Sequence, residues 1–278
     1  MPKAFPAPIY WDTYDKLLKI IRRYRSAVIA FSGGVDSTFL AYAAAEALAG
    51  KVLLVTARSS TYPRSELAEA KAIARRLGLQ HRIIVSEETA VPGFCANPPD
   101  RCYYCKKELF SKLKALAQAE EYAVVFDGSN KDDAINDYRP GRKALAELGI
   151  VSPLLMAGLT KEKIRAMSRK FGLLTADKPS YACLASRFPY GETITRAGLR
   201  RVEEAERRIR TMGFTQVRVR SHGDCARIEF IDEEIENAWK KRAAIERACA
   251  KAGFVFTAID TRGYRMGAMN EALVKRQN

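Results

Sequence analysis

The first strand, turn, helix and second strand of this chain constrain its fold more than any other part. Residues 26–31 (SAVIAF) form a short apolar run suited to a buried strand, and SGGVDS follows at 32–37 as a tight turn. Residues 35–48 are Ala-rich and helical, closed by Gly50, and KVLLVTA at 51–57 is a second buried strand. A unit of this kind commits the chain to parallel strands joined by crossover helices. The alternation continues with a helix over 63–77, a strand at 81–85, a helix over 106–117 and a strand at 122–126 that runs into DGSN; an amphipathic helix over 11–24 precedes it all. The fold class predicted is α/β, a doubly wound and mostly parallel sheet whose ligands bind beyond the carboxyl ends of the strands. From about Phe188 the pattern changes. A helix over 195–212, strands at 216–220 and 226–231, a helix over 233–252 and a strand at 254–259 predict a smaller α+β domain with its own antiparallel sheet. The expected domains are therefore 1–188 and 189–278.

Charge narrows the partners. Against 32 Asp and Glu stand 47 Lys and Arg, a formal +15, which favours nucleotides, nucleic acid, phosphorylated metabolites or an acidic membrane surface. No stretch approaches the ~20 apolar residues that span a bilayer, and MPKAFPAPIYW lacks the apolar core of a signal peptide, so a cytoplasmic protein without a membrane partner is expected. The six cysteines, at 95, 102, 105, 183, 225 and 249, are then reduced thiols, and any clustering among them favours a metal or catalysis over disulfides.

Between strand and helix, Ser32, Gly33, Gly34, Val35, Asp36 and Ser37 bring backbone N–H groups and a helix dipole to one point suited to an anion. The glycines allow close approach, Ser32 and Ser37 offer hydroxyls, and Asp36 is placed to help hold magnesium. GxxxxGK[ST] is absent, so this is not the loop that grips the β- and γ-phosphates of kinases and GTPases. The plain alternative is a Gly-Gly turn that merely joins strand to helix. The six residues and their flanks instead resemble the PP-loop ATPases, adenine nucleotide alpha hydrolase-like proteins whose loop holds the departing pyrophosphate while AMP is transferred. Thr56 and Arg58, at the end of the second strand, and Gly128 and Asn130 of DGSN, followed by Asp132 and Asp133, fit the nucleotide-facing positions of that family. Each stretch alone reads as an ordinary strand end or turn.

RCYYCK at 101–106 opens the helix predicted over 106–117, and its spacing lets Cys102 and Cys105 reach one metal ion or cluster; a helix N-terminus also favours thiolate. A zinc staple or an incidental pair is the alternative. Cys183 lies in KPSYACLASR, a polar segment in which no apolar periodicity asks for a buried cysteine. Cys95 is either a fourth ligand or a loop residue, Cys225 and Cys249 are packing residues, and His81 and His222 have weak claims as ligands. Arg218 and Arg220 alternate on one strand and point the same way, which suits paired contacts to phosphate or carboxylate groups. Glu192, Glu229, Arg262 and Arg265 are further candidates, each with a solvated surface residue as its alternative.

With SGGVDS, PDRCYYCK, KPSYACLASR and the late RVR in this order, the chain resembles the LarE family along nearly its whole length. That resemblance implies an ATP-dependent sulfur transferase of nickel-pincer nucleotide biosynthesis, which supplies the cofactor of lactate racemase. Its substrate would be pyridinium-3,5-biscarboxylic acid mononucleotide. A substrate carboxylate is adenylated, pyrophosphate leaves, and the acyl-adenylate accepts sulfur to become a thiocarboxylate. The cysteine matching Cys183 handles the sulfur. Members with that cysteine alone give up its sulfur and become dehydroalanine; members that also carry the CxxC are expected to hold a [4Fe-4S] cluster on residues matching Cys102, Cys105 and Cys183, with one iron open for hydrosulfide. The implied cofactors are ATP, Mg2+ and that cluster. Arg187, Arg218, Arg220, Glu229 and Arg265 are the substrate-binding positions expected, sulfide or a sulfur-donating protein is the expected partner, and the chain should form a homo-oligomer.

Three other readings stay open. PP-loop enzymes that thiolate tRNA also use three cysteines, and +15 suits RNA, but no zinc ribbon or RNA module is evident. An amide-forming synthetase would use ammonia and leave the cysteines structural. A nucleotide sensor would bind ATP without releasing pyrophosphate, which sits poorly with the acidic residues that metal-assisted transfer needs.

Overall fold

The computed structural model describes residues 8–135, 140–179, 182–265, 267, 268 and 271, without the side chains of 8, 9, 134 and 135. The N-terminal tail 1–7 and, within KPSYACLASR, Ser180 and Tyr181 lie outside the described residues. Two compact units are present. One takes the chain up to Ser86 and again from Cys102 to residue 179; the other takes 87–101 and the chain from Ala182 onward.

The first unit runs α1 (Pro8–Ile21), β1 (Ala27–Ala30), α2 (Val35–Ala47), β2 (Val52–Arg58), α3 (Arg64–Arg76), β3 (Gln80–Val85), α4 (Arg101–Ala119), β4 (Val124–Phe126), α5 (Asp132–Ile135), α6 (Gly141–Glu147), α7 (Pro153–Ala157) and α8 (Lys161–Lys170). Its sheet has the order β3-β2-β1-β4 with every pair parallel. Side chains alternate across it as a period of two requires. Ile29 and Leu54 face a core shared with Leu17 and Ile21 of α1, Phe39 and Leu40 of α2, and Ala70 and Ala74 of α3. Val28, Leu53 and Val55 face the opposite core, with Phe110 and Leu113 of α4 and Leu145 of α6. Helices thus cover both faces, which is why β1 and β2 read as unbroken apolar runs. Helix α2 is buried on nearly every side, and its alanines, with Ala41, Ala43 and Ala44 wholly inaccessible, allow that close packing.

The second unit contributes α9 (Arg196–Arg210), β5 (Val217–His222), β6 (Cys225–Phe230), α10 (Asp232–Lys240), α11 (Arg242–Ala252) and β7 (Phe256–Ile259). Strands β5 and β6 form the expected antiparallel hairpin, but β7 pairs parallel with β6, so the sheet is mixed. The cause is topological: α10 and α11 are the crossover that returns the chain in the same direction. They form two helices parted at Lys241 where one was expected. The segment 87–101, which the sequence places in the first domain, groups here with the second unit. Asn97 Nδ2 donates to the carbonyls of Phe188 (3.2 Å) and Pro189 (2.7 Å), and the amides of Gly191 and Ile194 donate to the carbonyls of Asn97 and Cys95 (3.0 and 2.8 Å). Among the described residues no helix is long and apolar enough to cross a membrane.

Candidate active site

Strand β1 delivers the chain into the turn before α2, and the turn is built around two glycines. Gly33 has φ +65°, and a Cβ there would stand 2.9 Å from Ala70 Cα of α3, so both conformation and space demand glycine. Gly34 caps α2 with extended backbone and offers no side chain, which leaves the first-turn N–H groups of α2 without a side-chain cap. Ser37 Oγ donates to the Gly34 carbonyl (3.3 Å) and accepts from Ser32 N (3.3 Å), while Ser32 Oγ accepts from Gly34 N (3.3 Å). Tyr62, unnoticed in the sequence, donates its hydroxyl to the Ser32 carbonyl (2.6 Å). The turn is therefore held from outside and within, with its amides at the positive end of a helix, as a phosphate cradle requires.

The loop after β4 closes on the same point. The Cβ position of Gly128 lies 3.4 Å from Ser37 N, so the DGSN backbone packs directly against the first turn of α2. Asn130 Nδ2 donates to Asp36 Oδ1 (3.4 Å), Asn130 N to Asp133 Oδ2 (3.1 Å), and Asp132 N to Asn130 Oδ1 (2.9 Å). Lys161, at the start of α8, pairs its ammonium with Asp36 Oδ2 and donates its amide to Asp132 Oδ2 (2.7 Å). Burial pushes the Asp36 carboxyl up from its ordinary value; Lys161 opposes this and the charge of Asp133 adds to it. Two carboxylates whose charges repel across a half-buried site are relieved by a cation. The ammonium of Lys161 does so here, and Mg2+ accompanying a nucleotide fits the same donors.

Ser32, Gly33, Gly34, Asp36, Ser37, Gly128, Asn130 and Asp133 are thus brought together. Thr56 lies beneath them rather than facing them: its buried hydroxyl donates to the Phe31 carbonyl (2.6 Å) and meets His81 Nε2 (2.8 Å). Arg58 is exposed at the end of β2. Lys161 had only an indirect signal, Thr160 as the N-cap of a helix, its Oγ1 accepting from Lys163 N.

Cys102 and Cys105 sit in the first turns of α4, a spacing that puts both on one face; Cys102 is exposed and Cys105 half-buried. Cys183, exposed, precedes a short 3-10 turn in the second unit. None of the three is joined in a disulfide among the described residues. Among the described residues no three His, Cys, Asp or Glu side chains gather as a metal-holding group. The pair supplies two soft donors of the kind a cluster takes, and the third belongs to the other unit.

In that second unit Arg187, Arg218, Arg220 and Glu229 are all buried. Arg187 forks onto Glu206 (2.8 and 3.0 Å), and its Nη1 donates to the carbonyls of Ala182 (2.8 Å) and Cys183 (3.1 Å). It holds the Cys183 segment in place. Arg220 donates to Glu229 Oε2 (2.5 Å) and to the Ser186 carbonyl (2.9 Å). Arg218 lies over the Tyr264 ring at 5.3 Å. Arg265 is tied to Glu271 (3.2 Å) and to the carbonyls of Arg262 and Gly263. Glu206 is a further residue without a sequence signal: an acid at 1% exposure on the apolar stripe of α9, beside Leu199, Val202 and Ile209.

Comparison with known proteins agrees with this arrangement. Residues 22–144, which contain the phosphate turn and the DGSN loop, match the Asparagine synthase family. An uncharacterized protein of Synechocystis sp. is 42% identical over 90% of this chain and 93% of its own length. The pyridinium-3,5-bisthiocarboxylic acid mononucleotide synthase of Lactiplantibacillus plantarum is 35% identical over 94% of this chain and 95% of its own. An uncharacterized protein of Methanocaldococcus jannaschii is 28% identical over 87% of this chain. With the phosphate turn, the acidic loop facing it and a relative 35% identical over 94% of the chain, the chain belongs to the LarE family of PP-loop, ATP-dependent sulfur transferases.

Proposed function

We propose that the chain adenylates a carboxylate of pyridinium-3,5-biscarboxylic acid mononucleotide and converts it to a thiocarboxylate. The observation that carries this reading is the identity with the Lactiplantibacillus synthase across 94% of the chain, joined to an intact phosphate turn. A carboxylate oxygen of the substrate attacks the α-phosphorus of ATP and the bond to pyrophosphate breaks. The amides of the turn between β1 and α2 stabilise the departing pyrophosphate, and Asp36 with Asp133 would hold the Mg2+ that accompanies the nucleotide, Asn130 fixing both carboxylates. Sulfide then attacks the acyl carbon and AMP leaves. Arg218 and Arg220 supply cationic groups for the phosphate and carboxylates of the substrate, and Glu229 holds Arg220 in place.

In this reading Cys102, Cys105 and Cys183 would hold a [4Fe-4S] cluster, which when bound would supply sulfur at the sulfide level for the acyl-adenylate. The one-face spacing of Cys102 and Cys105 supports it. Sulfide or a sulfur-donating protein renews the sulfur, and the enzyme works as a cytoplasmic homo-oligomer. Anaerobic iron and sulfide analysis of the native chain and of Cys183→Ala, with turnover on the substrate, tests the reading. The expected result is about four irons per chain, lost in the variant together with product. Thiocarboxylate formed without iron, leaving dehydroalanine at 183, overturns the cluster and makes Cys183 a consumed donor. Product formed unchanged by Cys183→Ala overturns sulfur transfer through this residue altogether.

A further inference from the structure

One lysine near the phosphate turn is absent from the chemistry above. Lys178 lies at the end of the strap that follows α8, and its side chain is 13% exposed. Its ammonium reaches Glu66 Oε2 (2.8 Å), Glu69 Oε2 (2.7 Å) and the carbonyl of Gly33 (3.3 Å). An ammonium has three N–H donors and no acceptor, so these three oxygens use all of them. A lysine beside a phosphate turn is ordinarily read as a phosphate ligand. This one has no donor left for phosphate and instead fixes the peptide of the turn's first glycine.

The strap is fixed from the other side by α8. Lys161, Arg165 and Arg169 follow one another at intervals of four and so share one face of that helix. Lys161 pairs with Asp36 of the phosphate turn. Arg165 donates to the carbonyls of Ala176 (2.5 Å) and Lys178 (2.8 Å), and Arg169 pairs with Asp177 (2.6 Å). The contacts make a closed circuit: Asp36 to Lys161, along α8 to Arg165, onto the backbone of Lys178, and through its ammonium back to Gly33. Five residues after Lys178 in the chain comes Cys183.

We infer that Lys178 is a positioning residue that ties the phosphate turn to the strap leading to Cys183, so that filling the turn with nucleotide stiffens the strap. Glu66, buried at 5%, and Glu69 hold the ammonium charged and in place. The inference rests on the reading of the turn as an ATP site, and the test separates the two.

Hydrogen–deuterium exchange of the full-length chain, with and without Mg2+ and a non-cleavable ATP analogue, is the first measurement. Slower exchange of peptides covering both 32–38 and 173–179 is the expected result. Protection of 32–38 with 173–179 unchanged overturns the inference and leaves the ATP site standing; protection in neither overturns both. The second measurement uses Lys178→Met combined with Glu66→Gln, which removes the tether without leaving a buried carboxylate unpaired. Positioning predicts analogue binding at least about tenfold weaker and no response at 173–179. Analogue binding within about twofold of the native chain and an intact response there would show that only charge balance mattered, and would overturn the proposal. Should the double variant not fold, the exchange measurement on the native chain decides by itself.

Discussion

Replacing Arg187 by Met removes the centre of the most buried ionic group in the second unit. Arg187 is wholly inaccessible and Glu206 is at 1% exposure, so their two-bond fork is shielded from solvent. Breaking a buried pair from one side costs about 3–5 kcal/mol, because the other charge stays behind. Arg210 remains on Glu206 and Val219 N still donates to it (3.1 Å), so about 3 kcal/mol is expected. The pH dependence tests the same reasoning independently. Burial works to raise the Glu206 carboxyl, but Arg187, Arg210 and Arg218 outweigh it and hold it at about 2 instead of 4.5. A carboxyl depressed on folding contributes stability that is complete above its unfolded value, and that stability is lost as pH falls from about 4.5 through about 2. The amount is roughly 3 kcal/mol. Urea unfolding of the native chain and of Arg187→Met at pH 7, 4 and 3 measures both quantities. The variant should be less stable at pH 7, and its further loss on acidification should be smaller, since its Glu206 titrates nearer the ordinary value. A loss below about 1 kcal/mol at pH 7, or an unchanged acid slope, refutes the reasoning.

Gly33→Ala should cost about 2–5 kcal/mol in the same unfolding assay, combining a left-handed alanine with a contact at 2.9 Å from the α3 backbone; a neutral substitution would show that the turn yields freely. Asp36→Asn should lower ATP–pyrophosphate exchange on the order of 100-fold while leaving the unfolding midpoint nearly unchanged; equal exchange rates would remove Asp36 from metal binding. Thr160→Ala deletes the N-cap of α8 and should cost about 1 kcal/mol, with a fall in nucleotide affinity because Lys161 is the next residue; a stability loss with unchanged affinity would uncouple α8 from the site.

The parts of this fold legible in the sequence are those written in local pattern. The apolar runs of β1 and β2, the small residues of α2 and the two glycines between them each follow from burial on both faces or from backbone conformation, and neighbours along the chain suffice to show it. The phosphate turn was readable for the same reason. Lys161 was not, because its partner Asp36 lies 125 positions away and nothing near either residue announces the other. Glu206 stands one helical turn after Val202 and looks like a break in an apolar stripe until Arg187 is seen to meet it. The parallel pairing of β7 depends on how two helices return the chain, a matter of topology that strand propensity does not carry. Whether Cys102, Cys105 and Cys183 act together likewise depends on two separate units rather than on spacing within one motif.

The placement of residues 87–101 bears on how the chain is made. Asn97 leaves the ribosome 91 residues before Phe188, whose carbonyl it needs, and Cys95 must wait until Ile194 has been synthesised. At about 5–20 residues per second, that interval is several seconds or more. During it, the first two β-α repeats can already pair, whereas the stretch between β3 and α4 has no counterpart and stays open to proteases and chaperones. A nascent chain of this design therefore presents its vulnerable segment in the middle of an otherwise foldable unit, and stalling translation between residues 101 and 188 should expose it to cleavage.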